Sequence, residues 1–276
     1  MIPPRSVLLG AALAAALALG SGATFLVMQG PAAEAADEAL PMPPSLPRLS
    51  QGPEYERCLG LLRGDPDEAL AQAEAWEANG GGEGARHCAA LALLGMGEAP
   101  RAAERLEGLA RVSRAGSGAR AAVFAQAVQA WMLAGEAGRA FAAATMGLTL
   151  APADVDLLLD RAVALGTLGR YAEALEDVDR VIALAPSRAE AWVFRAAAQR
   201  RLDRVDQAAS DVDRALALAP DNAEALLERG IIRQLKGDVA GAREDWEKAV
   251  SLAPDSPTAD LALQNLALNE AGPQRR

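Results

Sequence analysis

From about residue 120 onward, apolar and polar residues alternate with a helical period. Between 155 and 188, apolar or small residues stand at Leu158, Ala162 and Leu165, then at Ala174, Val178 and Val181. Steps of three and four place each set on one face of a helix. Gly169 falls between the sets, where a helix C-terminus calls for a left-handed residue. Pro186 stops the second helix. The pattern predicts two antiparallel helices joined by a tight turn.

The same text returns every 34 residues, marked by Leu-Ala-Pro at 150–152, 184–186, 218–220 and 252–254. With proline as position 32, the units are 121–154, 155–188, 189–222 and 223–256. Position 20 is always alanine (Ala140, Ala174, Ala208, Ala242). Position 15 is Gly135, Gly169 and Gly237, with Asp203 the exception. Position 8 is small at Ala162, Ala196 and Gly230, with Val128 the exception, while position 24 varies through Ala144, Val178, Val212 and Trp246. Ser187 ahead of Glu190, and Asp221 ahead of Glu224, carry the Ser/Asp-x-x-Glu signature of a helix start. One hairpin cannot bury its own apolar face, so several must stack.

At these positions the chain resembles the tetratricopeptide repeat family, whose units carry a large apolar residue at 4, a small one at 8 and glycine at 15. An aromatic at 17, alanine at 20 and proline at 32 complete the match, with Tyr171 supplying position 17. The resemblance is good over 155–256 and recognisable over 121–154. It implies an all-α fold, a right-handed α-solenoid of about six stacked antiparallel hairpins closed by a capping helix over 257–270. Two degenerate hairpins are expected within 54–120, around "GDPDEALAQAEAW" from Gly64 and "GEAPRAAERLEGL" from Gly97. The connection 113–120 exceeds the period, and the stack is expected to bend there. "NGGGEG" at 79–84 reads as a loose loop between units.

The first 30 residues stand apart. Residues 7–28 carry no charge, and as a helix they would span roughly 33 Å, enough to cross a bilayer core. Arg5 precedes the run and Glu34, Asp37 and Glu38 follow it, so the positive-inside rule sends the repeats across the membrane. The run is longer than the core of an ordinary signal peptide, which favours a single-pass anchor in the cytoplasmic membrane with the repeats facing the periplasm. Cleavage near Ser21-Gly22-Ala23 or Ala33-Glu34-Ala35, leaving a soluble periplasmic protein, is the alternative. Residues 31–53, rich in Pro and Ala, read as a linker.

Composition agrees with helices: 51% of residues are hydrophobic but only 4% aromatic, and strand-favouring residues are scarce. The net charge of −10, without a basic stripe, argues against a nucleic-acid partner.

Charge recurs inside the stack. Position 7 is Arg161, Arg195 and Arg229, and position 23 is Asp177, Asp211 and Asp245. A partly desolvated guanidinium needs a carboxylate, so Arg–Asp contacts are expected within a unit or between neighbours. A charge repeated in three units is architecture, because catalysis needs it once. His87, the single histidine, is expected on a helix surface. Cys58 and Cys88 fit no metal pattern and are candidates for a disulfide if this region is exported. No catalytic or metal-ligating constellation stands out, and neither an enzyme nor a cofactor is expected.

The resemblance also implies a binding groove. In this family the first helix of each unit lines the concave side, which names Gln129, Met132 and Leu133 in the first regular unit. Leu159 and Val163 follow, then Val193, Ala197, Arg200 and Arg201, then Leu227, Ile231 and Gln234. The lysine–asparagine clamp with which some members hold a C-terminal carboxylate is absent. The expected function is a non-catalytic scaffold whose groove holds a protein or peptide in the cell envelope. Self-association into a homo-oligomer is the alternative.

Overall fold

The computed structural model describes residues 48–270. The anchor or signal peptide expected over residues 1–30, and the linker up to residue 47, lie outside the described residues. Among the described residues no helix is long and apolar enough to cross a membrane.

Thirteen helices and no strand make up the described chain. The degenerate hairpins are α1 (Pro53–Leu61) with α2 (Pro66–Ala78), and α3 (Gly82–Gly95) with α4 (Ala99–Val112). The regular ones are α5 (Ser117–Leu133) with α6 (Ala137–Leu150), α7 (Val155–Thr167) with α8 (Tyr171–Leu184), α9 (Ala189–Arg201) with α10 (Val205–Leu218), and α11 (Ala223–Leu235) with α12 (Val239–Leu252). A final helix, α13 (Pro257–Glu270), packs on α11 and α12. The architecture is an all-α helical-repeat solenoid.

The turn chemistry is uniform. Gly97, Gly135, Gly169 and Gly237 end their helices with φ between 74° and 86°. Asp203 holds the same left-handed place with φ 59°, at a steric cost glycine would not incur. The helix starts differ from expectation. Asn222, not Asp221, caps α11 by accepting from the Ala225 amide at 2.8 Å. Asp154 does the same for α7, whereas the N-cap position of α9 is Arg188, with no side-chain cap, so Ser187 does not cap that helix.

Two loop readings also change. The extra residues at 113–120 do not form a longer loop. They add a turn to the front of α5, which runs 17 residues against 13 in α7, α9 and α11. Glu83 pins the short connection, accepting from the Ser113 hydroxyl at 2.6 Å and the Arg114 amide at 2.9 Å. The glycines of 79–84 are not loose either. A Cβ on Gly81 or Gly84 would collide with the Trp76 ring at 2.7 to 2.8 Å, and Gly80 and Gly82 turn the chain with φ 90° and 57°.

Positions 8 and 24, irregular in sequence, become regular in space. Both are buried in every regular unit, as the pairs Val128/Ala144, Ala162/Val178, Ala196/Val212 and Gly230/Trp246. A small residue in one place accompanies a larger one in the other. In the last unit the match is direct: a Cβ on Gly230 would overlap the Trp246 indole. Close packing at interior density lets the larger member grow only where the other is small.

Candidate functional site

First helices neighbour one another along the stack, α5 beside α7, α7 beside α9 and α9 beside α11. Each second helix packs mainly on its own partner and on the next first helix. The first helices therefore form the tight inner layer, and their free face is the candidate groove.

Which positions reach that face differs from the expectation. Leu159, Val193 and Leu227, all at position 5, are buried, because the neighbouring first helices close over them. They hold the inner layer together and do not offer a contact surface. Val163, Ala197 and Ile231 at position 9 are half-buried, as is Met132 at position 12. Gln129, Gln234 and Arg201 are exposed, and Leu133 is 72% exposed. The accessible floor is thus built from positions 9, 12 and 13.

A recess of about 560 Å³ opens on this floor. Val163, Thr167 and Ala197 line it together with Phe194, Arg201 and Tyr171, and Leu261 of α13 closes one side. The Arg201 guanidinium lies 6.0 Å from the centre of the Tyr171 ring. Phe194 and Leu261 escaped the sequence reading. Phe194 stands at position 6, outside the positions that the family resemblance assigns to the groove, and Leu261 lies beyond the repeats, where the 34-residue register gives no guidance. Arg200 is not free for a partner. It makes a bidentate bond to Glu228 on α11, at 2.5 and 3.1 Å, with both side chains largely buried.

The recurring charges form one motif. Arg161 donates to both oxygens of Asp177 at 2.7 Å, Arg195 to Asp211 at 2.8 and 2.7 Å, and Arg229 to Asp245 at 2.9 and 2.6 Å. Each pair lies within one unit and joins its two helices. Arg195 also reaches Asp179 of the preceding unit at 2.9 Å. The hydrogen bond to the aspartate raises the proton affinity of each arginine above its ordinary value.

The N-terminal hairpins carry a different device. Cys58 on α1 and Cys88 on α3 are joined as a disulfide, both fully buried. His87 is not on the surface as expected; it is 5% exposed and spans two partners. Tyr55 Oη lies 2.5 Å from Nδ1, and Gln126 Oε1 lies 2.6 Å from Nε2. An amide oxygen can only accept, so Nε2 carries the proton and Nδ1 accepts from the tyrosine hydroxyl. Burial lowers the histidine's proton affinity, against the pull of Gln126, and pushes Tyr55 up to about 12. The result is a neutral, satisfied chain from α1 through α3 to α5. Among the described residues, no three of His, Cys, Asp and Glu gather as a metal site.

This arrangement, paired helices on a 34-residue register with a shared inner face, defines an all-α helical-repeat solenoid. Two tetratricopeptide repeat models match the chain, over residues 159–221 and 194–267. Among solved structures, the chain resembles that of the APC/C hetero-tetramer Cut9-Hcn1, with TM-score 0.59 and 16% identity over 77% of this chain. It spans only 42% of the length of that relative. It also resembles YrrB, described as a TPR protein with an unusual peptide-binding site. There the TM-score is 0.51 and the identity 21%, over 70% of this chain and 96% of that one. Both likenesses concern the fold. No curated protein matches the sequence.

Proposed function

We propose that the protein is a non-catalytic interaction scaffold whose inner groove holds an apolar segment of a partner protein. The recess formed by Val163, Phe194, Ala197 and Leu261 carries this reading. It is concave and mainly apolar, and it has a few polar groups at its rim, the usual anatomy of a peptide groove. YrrB, with the same fold, has a peptide-binding site. The scaffold is held at the cytoplasmic membrane by residues 7–28 and faces the periplasm. The buried Cys58–Cys88 bridge supports that side, since disulfides persist in oxidising compartments.

Photocrosslinking from Ala197 or Ile231 in intact cells tests the groove. A discrete adduct with one envelope protein is expected, and a clean gel at both positions overturns the reading. The mass of the protein purified from membranes distinguishes a retained anchor from a cleaved leader.

A second reading rests on α13. Leu261, Leu263 and Leu268 are half or more exposed, although a capping helix ordinarily turns a polar face outward. Self-association through that helix would cover them. Light scattering over a concentration series decides: growth with concentration supports it, and a constant monomer mass excludes it.

A further inference from the structure

Position 6 of the regular units runs along the inner layer as Gln126, Asp160, Phe194 and Glu228. The two outer polar members are each satisfied from the preceding first helix. Gln126 accepts from His87 on α3, and Glu228 accepts two bonds from Arg200 on α9. Asp160, on α7, has no such partner. It is half-buried, and among the described residues neither a hydrogen bond nor a salt bridge reaches its carboxylate.

The repeat register says what is missing. Arg200 stands 28 residues before Glu228. The residue 28 before Asp160 (160 − 28 = 132) is Met132, which is half-buried and carries no charge. Arg188 is the cation felt at this carboxylate, and it is already engaged by Asp156 and Glu190. The chain thus builds the acidic half of an Arg–carboxylate pair on the α5–α7 step of the groove and omits the basic half.

We propose that Asp160 receives an arginine side chain from a peptide segment of the partner, remaking between molecules the forked bond that Arg200 and Glu228 make within the chain. The inference deepens the groove reading and rests on it. Arginine is favoured over lysine because a planar guanidinium can meet both carboxylate oxygens at once. Val163, Met132 and Leu133, at positions 9, 12 and 13, make the accessible floor of α5 and α7 apolar, which calls for apolar neighbours beside that arginine. A half-buried carboxylate without a partner holds its proton too tightly. Burial, then Asp156 and Asp154, raise Asp160 to about 6, and a bound guanidinium would relieve that penalty.

The test is selection of random peptides displayed on phage against the full chain in mild detergent. Asp160→Asn and Met132→Arg are run beside the wild type. Asp160 makes no internal bond, so Asp160→Asn should fold normally, which circular dichroism checks. Wild-type selections should converge on one arginine flanked by apolar residues. A synthetic peptide of that sequence should bind Asp160→Asn about tenfold more weakly or worse, roughly the loss of one charge-assisted bond. Met132→Arg supplies the missing guanidinium internally and should lose the arginine preference too. Apolar peptides selected without arginine, or equal binding to wild type and Asp160→Asn, overturn this inference while leaving the groove reading intact. If no form of the protein enriches any peptide, both fall.

Discussion

The two ends of the solenoid solve the same packing problem by different means. In the regular units, each hairpin from α7 to α12 is clamped by its own Arg–Asp fork, and from α5 onward a small residue meets a larger one across positions 8 and 24. In the degenerate pair, from α1 to α4, no such fork is present, although Ala90 on α3 and Leu106 on α4 keep the pairing of a small with a large buried residue. There α1 is a nine-residue helix burying only Tyr55 and Cys58, too short to be stable by itself. A covalent bridge to α3 and the Tyr55–His87–Gln126 chain hold it instead. Regularity and cross-linking are thus interchangeable sources of order. The end that lost the repeat pattern is the end that acquired the disulfide.

The contrast can be broken from either side. The largest effect should come from Cys88→Ser, which reopens a loop with a sequence separation of 30 and should cost the N-terminal hairpins about 3–4 kcal/mol. Hydrogen exchange should show α1 to α4 opening first while α7 to α12 keep their protection. Uniform loss along the chain would show that the ends are coupled more tightly than argued. Next, Asp177→Ala strands the Arg161 guanidinium and should destabilise by about 3 kcal/mol in denaturant titrations. Removing Glu54 from its exposed pair with Arg57 should cost under about 0.5 kcal/mol. Gly230→Ala should then cost about 2 kcal/mol by driving a methyl into Trp246. In a Trp246→Val background the same change should be nearly neutral, because it recreates the Ala196/Val212 pair.

The smallest effect separates the ends by pH. His87 has its proton affinity lowered on folding, so the N-terminal hairpins should weaken as pH falls below about 6.5. Asp160 runs the other way. Its folded value of about 6 lies above the ordinary 3.8, so the stability linked to it is full at low pH and is lost as pH rises through 6. Region-resolved exchange at about pH 7 and about pH 5 should therefore shift protection in opposite senses. His87→Gln should abolish the first shift, and Asp160→Asn the second.

Much of the fold was legible because its determinants are local and repeated. Gly169 and Gly237 announce helix ends, and the Leu-Ala-Pro phrases set the register, so the helix pairs from α5 to α12 follow almost directly. What escaped detection depends on pairs distant in sequence. Val128 reads as a defect until Ala144 is set beside it, and His87 reads as a surface residue until Tyr55 and Gln126 close around it. The groove was legible in outline but not in detail. Positions 5, 9 and 12 share one helical face, and the spacing alone does not say that the neighbouring helix covers the first of them. Leu261 belongs to the site only because α13 folds back to it, a fact no repeat pattern encodes.

The volume match at positions 8 and 24 bears on how such a chain could have grown. Each matched pair sits inside a single 34-residue unit, so a duplication or deletion that begins and ends at unit boundaries carries both members together. A crossover falling between the two helices of a hairpin would instead join Ala196 to Trp246, or Gly230 to Val212, leaving one interior overfilled or hollow. Whole hairpins are therefore the natural unit of gene rearrangement for this architecture.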